Sequence, residues 1–103
     1  MKVIRQGDVL LVKVAAMPAD VTAISQDKGR VILAHGEVTG HCHQIAEPTK
    51  ANLWSAGAER FLQVMEKTSL KHEEHSAAQL DVGIYHVAIQ TQFTPQELRS
   101  VVD

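Results

Sequence analysis

Four of the chain's six histidines stand in two tight pairs, Gly40-His41-Cys42-His43-Gln44 and Lys71-His72-Glu73-Glu74-His75. Neutral imidazole is the commonest protein ligand for transition metals, and two short pairs far apart in sequence are one way to assemble such a site. The candidate metal ligands are therefore His41, His43, His72 and His75. On a strand, residues two apart share a face, so His41 and His43 project together while Cys42 points away. Cys42 then reads as a small buried apolar residue. His72 and His75 are three apart and can act jointly only from a turn or one helical turn. The polar stretch Lys71 to Ser76 suits such a turn.

Carboxylates accompany both pairs. Glu37 precedes the first and Glu74 lies inside the second, which makes them the candidate catalytic residues. A Glu beside a metal can orient an imidazole, ligate, or act as a general base. The expected cofactor is a divalent transition metal. Zinc suits imidazole and carboxylate donors best, with iron, manganese or nickel as alternatives. No glycine-rich phosphate loop and no GxSxG elbow is present.

The elements that must position these side chains are short. Val9–Val14 is rich in β-branched residues and reads as a strand after the Gly7-Asp8 turn. Arg30 to Ala34, His41 to Ala46, Asn52 to Ala56 and Arg60 to Lys67 read as further strands, the last two joined around Gly57. Ala78 to Val82 is a weaker one, and Ala15 to Gly29 reads as a loop with an extended piece near Val21 to Ile24. From Ile84 to Phe93 the alternation is clear: Tyr85, Val87 and Ile89 share one face, His86, Ala88 and Gln90 the other. Thr94-Pro95-Gln96-Glu97 has the form of a capping box and predicts a short closing helical turn. The fold class expected is all-β, a compact small barrel or roll, as one domain over residues 1–103.

Bulk composition narrows the function classes. The 103 residues are 45% hydrophobic and 21% charged, ordinary for a globular domain. Ten Lys and Arg against twelve Asp and Glu, with 4% aromatic residues, argue against nucleic-acid binding by phosphate contacts or base stacking. The single cysteine excludes an internal disulfide and fits a reducing compartment. No apolar run approaches the roughly 18 residues of a membrane span, so the expected location is cytoplasmic.

Two resemblances add expectations. Gln6-Gly7-Asp8-Val9-Leu10, Gly36-Glu37-Val38-Thr39-Gly40-His41-Cys42-His43 and His72-Glu73-Glu74-His75 are similar to patterns in small uncharacterised proteins of bacteria and their phages. That likeness favours treating Glu37 and the second histidine pair as parts of one site. The string from His41 to Glu47, with Gly83 and His86 further on, resembles the two cupin motifs. It implies a cupin-like barrel with His41, His43, Glu47 and His86 as ligands. The chain departs from that pattern: the glycine after the Glu is missing, Asp81 replaces a proline and Gln90 an asparagine.

Two functions remain open at this level. A metal held by three protein ligands and a water supports hydrolysis or, with iron, cupin-like oxygen chemistry. Alternatively the chain is a non-catalytic protein-interaction module of phage–host type, with a structural metal or none. A protein partner and a homo-oligomer are both open.

Overall fold

A computed structural model of the chain describes residues 2–36 and 40–90. Ten strands follow in order: β1 (Val3–Gln6), β2 (Val9–Val14), β3 (Thr22–Ile24), β4 (Ile32–His35), β5 (Cys42–Ile45), β6 (Ala51–Ala56), β7 (Glu59–Val64), β8 (Thr68–Lys71), β9 (Ala78–Leu80) and β10 (Gly83–Ile89). One 3-10 turn, Pro48–Lys50, leads into β6. The protein is all-β. Its described strands form two antiparallel sheets, ordered β1-β2-β10-β7-β6-β3 and β4-β5-β8-β9.

Both sheets contribute to one core. Val9 and Leu11 on β2, Tyr85 and Val87 on β10, Leu62 and Val64 on β7 and Leu53 on β6 face Leu33, Ile45, Leu70 and Leu80 of the smaller sheet. The period-two alternation produces this directly, since alternate side chains turn to the same face. Tyr85, wholly buried, also places its hydroxyl on the Asp81 carbonyl at 2.9 Å. A buried phenol without such a partner would destabilise the core.

Several strands follow the sequence closely, β2 to the residue. Two were not anticipated. Val3–Gln6 pairs with β2 through Gln6 opposite Val9, which leaves Gly7 and Asp8 as a two-residue hairpin turn. Gly7 has φ +58° and Asp8 is not in the positive region, the pattern of a type II′ turn. β8 occupies the stretch between the expected strand at Arg60 to Lys67 and the polar bend. The expected helical turn at Thr94-Pro95-Gln96-Glu97 lies outside the described residues, as does Glu37. Among the described residues no helix is long and apolar enough to cross a membrane.

Two links between distant segments tie the sheets together around their ends. Gln6, at the end of β1, bonds across to the small sheet. Its side-chain amide donates to the carbonyls of Leu70 at 2.8 Å and Ser76 at 2.9 Å. In β4, the register against β5 shifts between Ile32 and Ala34, a bulge that includes Leu33. Arg60 of the large sheet donates to the Leu33 carbonyl at that bulge.

Candidate metal centre

β5 delivers the first histidine pair and the bend after β8 the second. Gly40, with φ +89°, turns the chain into β5, and the Gly36 amide closes the connection by donating to the His41 carbonyl at 2.8 Å. β5 pairs with β8 through Gln44 opposite Lys71, so the bend that begins at His72 rises beside His43. Glu73 fastens that bend: its carboxylate accepts the Cys42 amide at 3.0 Å. The same bond, with Glu73's own amide, holds its carboxyl below the usual carboxylate range. Cys42 is buried, as the alternation predicts, and accepts a contact from the Gln44 amide.

The four histidines of the two pairs come together. The His72 ring lies 4.3 Å from the His43 ring, 4.7 Å from His75 and 5.9 Å from His41, measured between ring centres. His43 and His75 stack at 5.8 Å with planes 15° apart. Two pairs far apart in sequence are thus assembled by one strand pairing. Among the described residues, no three His, Cys, Asp or Glu side chains have donor atoms already converging as around a bound ion. The site is a cluster of imidazoles, not a formed coordination sphere.

The chemistry of each ring differs. His43 is buried to 2% exposure. Its Nδ1 lies 2.8 Å from Oε1 of Gln6. The Gln6 amide cannot be flipped, because its nitrogen already donates to two carbonyls, which only accept. His43 Nδ1 therefore carries the proton and donates it to Gln6. Burial, then the neighbouring His72, lowers the His43 pKa and keeps the ring neutral. Its Nε2 is left as a bare lone pair. That lone pair faces Oδ1 of Asp8 at 3.3 Å. Two acceptors directed at each other repel unless a proton or cation lies between them.

The other rings are less constrained. His72 Nδ1 accepts the Glu74 amide at 3.0 Å, which in the neutral ring puts the proton on Nε2. His41 Nδ1 is buried and has no hydrogen-bond partner among the described residues; it lies 3.7 Å from a Glu74 carboxylate oxygen. Two glycines make room. A Cβ on Gly7 would stand 2.8 Å from His75 Nε2 and 3.1 Å from His43 Cε1; one on Gly36 would stand 2.9 Å from His72 Nε2.

Glu74 thus sits beside the cluster, as its candidate role requires. The set implied by the cupin resemblance is dispersed. Tyr85 and Val87 face the core, so His86 lies on the opposite face of β10, 3.2 Å from Glu59 and edge-on to Phe61. Glu47 binds Lys50 and Thr68. Sequence reasoning missed Asp8 and Gln6. Asp8 does support a turn, but its carboxylate also meets His43. The signal available in the sequence was Gln6-Gly7-Asp8 itself, a turn sequence with an amide and a carboxylate side chain on either side of its glycine.

Fold and site together define a small two-sheet β protein with a histidine cluster where the sheets meet. The family model described as "Domain of unknown function (DUF8820)" matches residues 5–90, and the chain belongs to that family. No curated protein and no solved structure matches it.

Proposed function

We propose that the protein binds a divalent transition metal at the histidine cluster, with His43 Nε2, the Asp8 carboxylate and His75 as the ligand set. Zinc suits these donors best. The observation that carries the reading is the bare His43 Nε2 facing Asp8 Oδ1 at 3.3 Å. Two donors each 2.0–2.1 Å from a tetrahedral ion stand roughly 3.3 Å apart. A cation between them converts the repulsion into two bonds. Gln6 orients the His43 ring as outer partners of metal-bound imidazoles do.

His75 completes the set by turning its ring from the exposed bend, and the missing Cβ at Gly7 lets the ring lie close to that glycine. His41, whose buried Nδ1 has no partner among the described residues, is the fourth donor available. Three ligands and a water would support hydrolysis, with Glu74, whose carboxylate lies 3.7 Å from His41 Nδ1, to take the water's proton. When bound, the metal would supply an activated water; the chain would supply ring orientation and a carboxylate base.

The test is metal content of the full chain purified without a metal-binding tag, then zinc titration after chelator stripping. One equivalent of zinc is expected, with affinity reduced about 10- to 100-fold or more in Asp8→Asn and abolished in His43→Ala/His75→Ala. Equal zinc uptake by the wild type and the double variant would end the proposal.

A further inference from the structure

A second pocket lies along β4, one strand over from β5, where Ala34 stands opposite His43 and His35 opposite Cys42. A cavity of about 290 Å³ opens between β3 and β6 of the large sheet and β4 of the small one. Its walls include Ile24, Val31, Leu33 and Leu53, with Asn52 and Arg60 among the polar groups. Arg60 projects from β7 and reaches across to the small sheet. One guanidinium nitrogen, Nη2, donates to the Leu33 carbonyl at 2.7 Å, at the bulge in β4. A bulge takes a carbonyl out of the regular ladder, and Arg60 supplies a donor there.

That bond leaves the charge unanswered. A carbonyl is neutral and engages one of five N–H donors. Among the described residues Arg60 makes no ion pair. The nearby carboxylates are turned elsewhere: Asp27, also in the cavity wall, pairs with Arg30 at 3.8 Å, and the adjacent Glu59 meets His86 at 3.2 Å. A half-buried cation costs free energy unless something pairs with it. Burial accordingly pulls the Arg60 pKa below its ordinary value. Guanidinium matches a planar carboxylate through two parallel hydrogen bonds. The aliphatic walls suit a short apolar body behind that head group. The volume is at the small end for ligand sites, which excludes a polymer or a nucleotide.

We infer that this cavity binds a small organic carboxylate, with the Arg60 guanidinium recognising the anion and Leu53 and Val31 enclosing its apolar body. The site uses none of the ligands proposed for the metal, His43, Asp8 and His75.

The experiment is an amide-shift NMR titration of the chelator-stripped full chain with three probes: benzoate, benzyl alcohol and inorganic phosphate. Benzoate should shift the amides of residues 31–35 and 52–53 saturably. Benzyl alcohol, which lacks the charge, and phosphate, which lacks the apolar body, should each bind at least ~10-fold more weakly. Arg60→Met should lose benzoate binding. If that variant fails to fold, the comparison of probes on the wild type decides alone. Benzyl alcohol or phosphate binding as well as benzoate, no saturable shift with benzoate, or shifts confined to residues 41–43 and 72–75 would each overturn the inference.

Discussion

His43 and His86 show how differently one residue type behaves in two parts of the same small molecule. Both lie on central strands and both have a carboxylate oxygen within 3.3 Å of Nε2. His86 sits on the outer face of β10, where its ring packs edge-on to Phe61 and water screens its contact with Glu59. His43 sits where the sheets join, with its proton directed to Gln6 and its lone pair directed at Asp8. The residue and its nearest charge are nearly the same; burial and a second hydrogen bond make one a surface pair and leave the other with a free lone pair. A short histidine–carboxylate distance therefore says little until the other ring nitrogen is accounted for.

The comparison is broken most directly by truncating each ring. His43→Ala leaves the Gln6 carbonyl oxygen without its donor and opens a void, and should cost about 2–4 kcal/mol in urea unfolding as well as stoichiometric zinc. His86→Ala should cost under ~1 kcal/mol and keep its zinc. Similar losses from both would mean that the His43 environment is not special.

Glycines allow a finer version. Gly7 and Gly57 have nearly equal positive φ, +58° and +63°, so alanine at either should cost about 1–2 kcal/mol in backbone strain. Only at Gly7 would the new methyl meet His75 and His43; at Gly57 nothing lies within 4 Å. Calorimetric zinc titration should show at least a ~10-fold weakening in Gly7→Ala and no change in Gly57→Ala.

The smallest effect is in pH. The folded chain holds His43 neutral below its ordinary pKa of 6.5, while the unfolded chain takes up that proton near 6.5. The unfolded state then binds more protons, so the metal-free protein should lose stability as pH falls below about 6.5. Urea midpoints at pH 7.5 and 5.5 should separate more in the wild type and His86→Ala than in His43→Ala. An equal separation in all three would show that His43 contributes no part of the slope.

Much of the fold was legible from the chain alone. Val9–Val14 and the Tyr85–Val87 alternation named a β fold, because a period of two has one structural meaning, but which face of the last strand turns inward was decided by the packing of Tyr85 and Val87 into the core. The His41–His43 and His72–His75 pairs named the cluster, because their spacings suit a strand and a bend. The closure of the sheets was not legible. Strand order depends on pairings between distant segments, and the described strands form two separate sheets rather than one closed barrel. β1 was hidden because Val3-Ile4-Arg5-Gln6 puts two apolar residues before two polar ones, with no alternation to read, although its side chains do alternate in burial.

Gln6 and Asp8 were illegible as site residues for a related reason. In sequence they flank a hairpin glycine and lie far from the nearest paired histidine. Composition and periodicity by themselves determined an all-β domain with its imidazoles grouped in pairs, since side-chain alternation and local spacing are properties of the chain. Which ring keeps its lone pair, which carboxylate faces it and which half-buried guanidinium has no ion-pair partner among the described residues were decided only by tertiary packing. Those outcomes depend on burial and on hydrogen bonds between segments that the sequence keeps apart.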